Sequence, residues 1–128
     1  MAELGIGTTL RGELPQWDYP EALRESAPRI WWEHADLTLF YAEEGHARHD
    51  RVAQCAGLVS EAACRTAHAV LAHRGEWVTN EKQLLSKAGL REVDAVVTQL
   101  DPEPTSLLQA VAQARALCVG AARDEGII

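Results

Sequence analysis

Small apolar residues recur along the middle of the chain with the periodicity of an α-helix. The pattern begins after Asp50, which we predict to be the N-cap, and ends at Gly75, a residue typical of helix C-termini. Small side chains let neighbouring helices approach closely, so we expect this segment to be the central helix of a bundle. The small residues are Ala53, Cys55, Ala56, Gly57, Ala62, Ala63, Cys64, Ala67, Ala69 and Ala72.

One side of this central helix is polar. At about 100° per residue, four polar side chains fall on the same side, and we call them the polar seam. The polar seam consists of Gln54, Glu61, Arg65 and His68. Because buried polar groups need hydrogen-bond partners, the seam must pair with a neighbouring helix, face water or line a pocket.

Two helices are predicted before the central helix. Pro20 precedes a short helical pattern over residues 21–26. Pro28 is expected to open the first long helix, which ends near Gly45, because proline is tolerated in a first turn.

The first long helix has an apolar arc that is broader than one partner helix needs. The arc comprises Ile30, Trp31, Ala35, Leu39, Tyr41 and Ala42, and the opposite acidic sector comprises Glu33, Asp36, Glu43 and Glu44. The arc either packs on two neighbouring helices or offers a surface to a second chain. Phe40, which lies inside the acidic sector, favours the second alternative.

Three helices are predicted after the central one. Asn80 is expected to cap a short helix that ends at Gly89, and Gln83 stands at the right distance to complete a capping box. A second short amphipathic helix is predicted over residues 91–100, and the last long helix over residues 105–123.

These elements predict an all-α fold, an up-and-down helical bundle of three long and two or three short helices. Residues 1–18 hold several glycines and a proline with little periodicity, so we expect an N-terminal arm or linker there. Trp17 and Tyr19 are expected to hold this arm against the helical domain, which spans residues 19–128.

Composition narrows the functional classes. The formal net charge of −7 argues against a nucleic-acid surface, since phosphate binding needs clustered Lys and Arg. No apolar run is long enough to span a membrane, and the N-terminus lacks a signal-peptide pattern. The three cysteines fit no zinc motif and are expected to be core residues in a reduced cytosol, which predicts a cytoplasmic location.

The polar seam is the main candidate for chemistry. Glu61 and Arg65 are four residues apart and His68 follows one turn later, so the three groups form either an internal network between helices or a contact with a ligand or partner. No metal site is predicted, and the chain has neither a phosphate-binding glycine loop nor a Gly-x-Ser-x-Gly motif. No self-sufficient catalytic centre is visible.

The segment from Ala67 to Leu85 resembles the C-terminal helical domain of small bacterial nucleotidyltransferases of the polymerase-β-like superfamily, which includes aminoglycoside nucleotidyltransferases. Its sharpest motif is an aromatic residue, two further residues and Asn-Glu-Lys after a glycine turn, here from Trp77 to Lys82. Residues 19–24 and Trp32 also look like the entry to that domain. The likeness covers nearly the whole chain after the arm.

This resemblance implies a substrate-binding half without its catalytic half. In such enzymes a separate α/β domain carries a Gly-Ser motif and metal-binding aspartates, and no Gly-Ser followed by Asp-x-Asp occurs here. The chain alone is therefore expected to bind no cofactor, and to meet magnesium and a nucleoside triphosphate only through a catalytic partner. The helical half packs against the catalytic half and often mediates dimers.

The resemblance also implies where a substrate cleft or domain junction lies. The expected junction residues are Glu61, Arg65, His68, Asn80, Glu81 and Lys82. Glu76 and Glu81 are the candidates for a general base, because removing a proton from an acceptor hydroxyl helps its attack on a phosphoryl group.

Three functional hypotheses follow. The leading one is a non-catalytic substrate-binding or partner module that docks on a separate nucleotidyltransferase domain. The alternative is a homodimeric structural or regulatory interaction domain, with the tryptophan-rich first long helix as its interface. A ribonuclease-type helical toxin ranks lowest. Such toxins carry Arg and His separated by four to six residues on one helix, whereas two residues separate Arg65 from His68 and seven separate it from His73.

Overall fold

A computed structural model of the chain describes residues 17–128. Its α-helices are α1 (Glu21–Tyr41), α2 (Val52–Arg74), α3 (Leu84–Lys87), α4 (Val93–Thr98) and α5 (Pro104–Asp124). A π-helical segment (Ala42–His46) and a 3₁₀ turn (Ala47–His49) join α1 to α2, and a 3₁₀ turn (Glu81–Gln83) precedes α3. No strand lies within residues 17–128, so the predicted all-α class is confirmed for this part of the chain.

The main core lies where α1, α2 and α5 meet. Its largest fully buried side chains include Leu39 of α1, Val59 of α2 and Leu107 of α5. A smaller cluster joins the last turns of α2 to α3 and the residues after it, where Val70 packs with Leu90. Helix α2 contacts all four other α-helices, which agrees with the central place predicted for it.

The two helices predicted before α2 form one helix. Pro28 lies inside α1 rather than at its start, so the predicted boundary was wrong. Proline lacks an N–H and removes one backbone hydrogen bond, but the Pro28 side chain is buried, and packing offsets part of that cost. The first turns are also held from outside the helix, because Arg24 Nε donates to the carbonyl of His73 at 2.9 Å.

Helix α2 begins differently from the prediction and ends as predicted. Asp50 has a φ of 59° and is the C-cap of the preceding 3₁₀ turn, and the N-cap position of α2 falls on Arg51, which makes no side-chain cap bond. The predicted Asp50 cap was therefore wrong; aspartate tolerates the left-handed conformation that turns the chain into α2. At the other end Gly75 has a φ of 70°, and the N–H groups of Gly75 and Glu76 donate to Ala72 and Leu71 as in a Schellman motif.

We call residues 75–83, between α2 and α3, the bend. The Asn80 side chain accepts a hydrogen bond from the Lys82 N–H at 3.0 Å, so the predicted cap is confirmed. The capping box was wrong: Gln83 donates its backbone N–H to the Asn80 carbonyl at 3.1 Å, and the described residues show no bond from its side chain. The tight 3₁₀ turn brings the Lys82 N–H, rather than that of Gln83, to the Asn80 side chain.

The start of the described chain is held on the bend. Trp77 Nε1 donates to the carbonyl of Trp17 at 3.1 Å, and the ring centroids of Tyr19 and Trp77 are 4.7 Å apart. Residues 1–16 of the predicted arm lie outside the described residues. None of the helices between residues 17 and 128 is both long enough and apolar enough to cross a membrane.

Candidate functional site

The middle of the polar seam is an internal network between α1 and α2. Arg65 Nη1 donates to Thr38 Oγ1 at 3.0 Å and to the His34 carbonyl at 3.3 Å, and Arg65 Nη2 donates to the Glu61 carboxylate. Thr38 is buried and Arg65 half-buried. The Arg65 guanidinium therefore joins the two helices, as the first of the two sequence interpretations expected.

The next turn of the seam is an aromatic stack. The rings of His68 and Trp31 are 4.5 Å apart and 16° from parallel, so the imidazole of α2 lies flat on the indole of α1. Burial lowers the pKa of His68 from its ordinary value of 6.5, and the nearby Glu81 carboxylate partly opposes this by raising it. The lowered pKa keeps the imidazole neutral over more of the pH range, which suits stacking on an indole.

Glu81 connects the bend to the seam. Its charge acts on His68 and also on Cys64, whose pKa is raised first by burial, then by Glu81 and then by Glu61. Cys64 of α2 and Val78 of the bend also pack against the same buried cluster, so two segments that are separate in sequence meet on one side of the molecule. We call this side the junction surface, and it comprises Trp31, Glu61, Cys64, Arg65, His68 and Glu81.

The other residues predicted for the junction lie along the bend. Asn80 is used as a cap, and the Lys82 and Glu76 side chains are exposed. Within residues 17–128 neither the Lys82 ammonium nor the Glu76 carboxylate has an ion pair or a side-chain hydrogen bond. Glu81 is likewise exposed and unpaired among these residues, so its carboxylate is accessible.

The N-terminal end of the seam lines a shallow cavity of about 360 Å³. Gln54 and Glu61 form its polar wall, and Gly57, Leu58 and His46 complete it. The Nδ1 atom of His46 is buried without a hydrogen-bond partner among the described residues. The cavity lies at the opposite end of the seam from Glu81, so Gln54 does not belong to the junction surface.

A second exposed feature, on α1, was only partly foreseen. Four large apolar side chains follow one line along its outer face, and we call them the α1 stripe. They are Leu23 (44% exposed), Ile30 (52%), Leu37 (50%) and Tyr41 (55%), with Phe40 (52%) beside them. The signal was in the sequence: Leu23, Ile30 and Leu37 are seven residues apart and Tyr41 follows four later, which keeps one helix face.

The sequence interpretation assigned Ile30 and Tyr41 to the same apolar arc as the core residues Ala35 and Leu39. It also placed Phe40 in the acidic sector and did not single out Leu23 or Leu37. In the structure the arc divides, because Ala35 and Leu39 are fully buried whereas Ile30 and Tyr41 are about half exposed. The expected broad apolar surface therefore exists, but it is separate from the core.

A cavity of about 640 Å³ lies where the start of α1 meets the end of α2. Charged groups of both signs line it, including Arg24, Glu25 and His73. Arg24 donates a hydrogen bond to the His73 carbonyl, and His73 Nδ1 lies 3.5 Å from the Glu125 carboxylate. These polar groups of the cavity wall therefore join the ends of helices.

Comparison of the chain with models of protein families, with curated proteins and with solved structures gave no match.

Proposed function

We propose that this chain is a non-catalytic helical module of a nucleotidyltransferase system, which binds acceptor substrate and docks on a separate catalytic domain. The observation that carries the proposal is the junction surface. Glu81 lies in the segment that resembles nucleotidyltransferase helical domains, and its charge reaches His68 of the polar seam. Cys64 of the central helix and Val78 of the bend pack on one cluster, and this supports the proposal that a partner binds the bend and the seam together.

The junction surface has the chemistry of a binding site for a polar acceptor. Trp31 and His68 contribute two stacked, half-buried rings, which we call the Trp31–His68 platform, and the exposed Glu81 and Glu61 carboxylates can accept hydrogen bonds. Hydroxyl and amine groups donate such bonds, so we propose a small acceptor rich in these groups.

Glu81 is the better placed of the two candidate general bases. The Glu81 charge raises the pKa values of His68 and Cys64, whereas Glu76, which is exposed earlier on the bend, has no such effect on either group. In the proposed complex Glu81 accepts the proton of an acceptor hydroxyl. The catalytic partner would supply the nucleoside triphosphate and magnesium.

The test is sedimentation velocity with a catalytic partner. The probe is a purified domain that carries a Gly-Ser motif followed by Asp-x-Asp and is encoded beside this chain. We expect a heavier species when the two are mixed, and we expect Glu81→Lys to weaken it because the charge at the centre of the surface reverses. Absence of a complex overturns the proposal.

The matched control is Glu92→Lys, which makes the same charge change at an exposed residue just before α4. It should leave the complex intact, and a complex weakened equally by both variants would reflect net charge alone and contradict the proposed surface. Calorimetry adds a second check: magnesium ATP should bind the mixture but not the isolated chain. Binding of the nucleotide to the isolated chain contradicts a non-catalytic role.

A further inference from the structure

Three cavities lie one after another along one face of α5. The first, of about 110 Å³, shares Gln99 and Gln113 with the second, of about 440 Å³. The second shares Ala116 and Leu117 with the third, of about 350 Å³. The part of α5 that lines them extends over residues 106–124, about 27 Å at about 1.5 Å per residue. The three cavities therefore form one continuous groove, which we call the α5 groove.

The α5 groove has an apolar floor and many short side chains. Its second wall is α4 together with residues 88–90, which follow α3. Val96 of that wall is buried and Leu117 of α5 is half-buried, whereas Ala116 is exposed. A Cβ added at Gly120 meets nothing within 4 Å, so the groove is open there. Short side chains let the backbone of another helix approach to the usual interaxial distance of about 8–10 Å.

The walls of the α5 groove favour a helical occupant over an extended one. An extended peptide that binds by adding a strand needs unpaired N–H and C=O groups along a sheet edge. Residues 17–128 contain no strand, and the helices that form the walls use their backbone groups in their own hydrogen bonds. A helix satisfies its own backbone, so it needs from this groove only apolar contact and side-chain pairing.

The unpaired charges along the α5 groove are negative. Each cavity is lined by one carboxylate that has no ion pair within residues 17–128, and in order along the groove these are Asp101, Glu92 and Asp124. The remaining charged groups of the lining, Arg74 and Glu125, pair with each other. Carboxylates that their own chain leaves unpaired attract basic side chains, whereas a second copy of this chain, with its net charge of −7, would be repelled.

We propose that the α5 groove binds an amphipathic helix of a partner protein, about 18 residues long, with an apolar face and with Lys or Arg on both sides of that face. The apolar face packs on Leu117 and Val96, and the basic side chains pair with Glu92 and with the aspartates at the two ends of the groove. The α5 groove shares no residue with the junction surface. The proposal therefore does not depend on the proposed function.

Fluorescence anisotropy of the whole chain with a synthetic probe tests the proposal. The probe is a labelled peptide of about 18 residues with Leu at the helical spacing i, i+3, i+4 and i+7, Lys beside the Leu face and Ala elsewhere. The control peptide has the same composition in an order that places Leu on no common face. We expect saturable binding of the probe, about tenfold or more tighter than that of the control peptide. Equal affinities, or no saturation up to about 1 mM probe, overturn the proposal.

Gly120→Leu fills the α5 groove without changing its charge. An added Cβ meets nothing within 4 Å there, so the variant should fold, which circular dichroism verifies. We expect it to raise the dissociation constant of the probe about tenfold or more. Gly57→Leu is the matched control, because it makes the same change on α2, outside the groove, where an added Cβ also meets nothing. It should leave the affinity unchanged, and a probe affinity that the two variants affect equally overturns the proposed site.

Charge reversal gives a second variant, which does not alter the shape of the groove floor. Glu92→Lys lies at an exposed position and should weaken probe binding about two- to fivefold, because one surface ion pair is lost. Glu81→Lys makes the same change on the junction surface and should leave probe binding unchanged. Equal weakening by the two variants would reflect net charge alone and would overturn the proposed pairing.

Two further measurements distinguish the other occupants. In proton–nitrogen correlation NMR spectra the probe should shift the signals of Gln113 and Gly120, and shifts confined to the α1 stripe overturn the proposal. Sedimentation equilibrium should show no self-association that Gly120→Leu removes; if it does, a second copy covers the groove and the proposal fails. If the probe binds as expected and no complex with the catalytic domain forms, only the proposed function fails.

Discussion

Helices α1 and α2 are similar in length but differ in what they leave exposed. Helix α2 buries ten residues, most of them small, and none of its large apolar side chains is exposed. Helix α1 buries only five residues and exposes the whole α1 stripe. Helix α1 nevertheless carries the larger apolar side chains, so the surface that it leaves exposed is formed by large residues.

The polar groups show the reverse arrangement. Arg65 of the α2 seam is bonded to Thr38 and to the His34 carbonyl, whereas the large apolar side chains on the outer face of α1 are about half exposed. A polar residue on the inner face of a helix can thus join two helices, and an apolar residue on an outer face can remain exposed to solvent or to a partner. Residue type alone does not distinguish an inner from an outer face.

The largest expected effect separates the two faces of α1. Leu39 is fully buried and Leu37 half exposed, two positions apart on the same helix. Leu39→Ala should lower the free energy of unfolding by about 2–5 kcal/mol, because it removes buried apolar surface and leaves a cavity. Leu37→Ala should change it by no more than about 0.5 kcal/mol in the monomer. Urea unfolding at low protein concentration measures both.

Equal destabilisation by these two variants would contradict the comparison, because it would mean that the outer face of α1 is part of the core. The control is the slope of the unfolding free energy against urea concentration. Similar slopes show that the two variants expose a similar amount of surface when they unfold.

The link between the helices should give the second largest effect. Arg65→Met removes the hydrogen bonds to Thr38 and to the His34 carbonyl, and should lower the free energy of unfolding by about 1–2 kcal/mol. The matched variant Arg29→Met breaks an exposed pair with Glu33 and should cost less than about 0.5 kcal/mol. Thermal unfolding followed by circular dichroism compares them. Equal small losses would show that Arg65 contributes little to joining α1 and α2.

Much of the fold could be predicted from local pattern. The helical periodicity, Gly75 at the end of α2 and Asn80 at the start of the next turn depend on neighbours within a few residues, and all three are observed. The left-handed conformation of Asp50 was missed because aspartate is also a common N-cap residue. Pro28 inside α1 was missed because the burial of its side chain depends on residues distant in sequence. The anchor of Arg24 on His73, for example, joins positions 49 residues apart.

The candidate site was less predictable for the same reason. Helical spacing placed Glu61, Arg65 and His68 on one side of α2, but no spacing rule shows that Trp31 of α1 covers His68 or that Glu81 reaches it. The division of α1 into a buried and an exposed apolar face also depends on where α2 and α5 pack. The seven-residue spacing in the sequence shows that the residues of the α1 stripe share one helix face, but it does not show that this face is exposed.

A smaller effect tests whether every small residue of α2 serves close packing. A Cβ added at Gly57 meets nothing within 4 Å, whereas Gly75 holds a φ of 70° that other residues rarely adopt. Gly57→Ala should therefore stabilise the chain by about 0.5–1 kcal/mol, because alanine favours the helix. Gly75→Ala should destabilise it by about 1 kcal/mol. Chemical unfolding of both variants checks the signs, and a loss of stability for Gly57→Ala would mean that close packing extends to this side of α2.

The smallest expected effect concerns the Trp31–His68 platform. Because burial lowers the pKa of His68 below 6.5, the folded chain binds this proton more weakly than the unfolded chain does. The stability that this histidine contributes is fully present above pH 6.5, and it is lost as the pH falls through 6.5 towards the folded-state pKa. Proton NMR of the imidazole should report a pKa below 6.5, and Glu81→Gln should lower that pKa further, since the Glu81 charge raises it.

The free energy of unfolding, measured as a function of pH, then tests the titration of His68 and the effect of Glu81 on it. His68→Gln should remove the fall in stability that begins near pH 6.5, because no proton is then taken up at this position. The matched variant His49→Gln, in the exposed 3₁₀ turn before α2, should leave that fall in place. If Glu81→Gln raised the pKa of His68 or left it unchanged, the bend would not reach the seam. The junction surface would then divide into two separate patches, one on the bend and one on α2. A partner that binds the polar residues of α2 would then not contact Glu81.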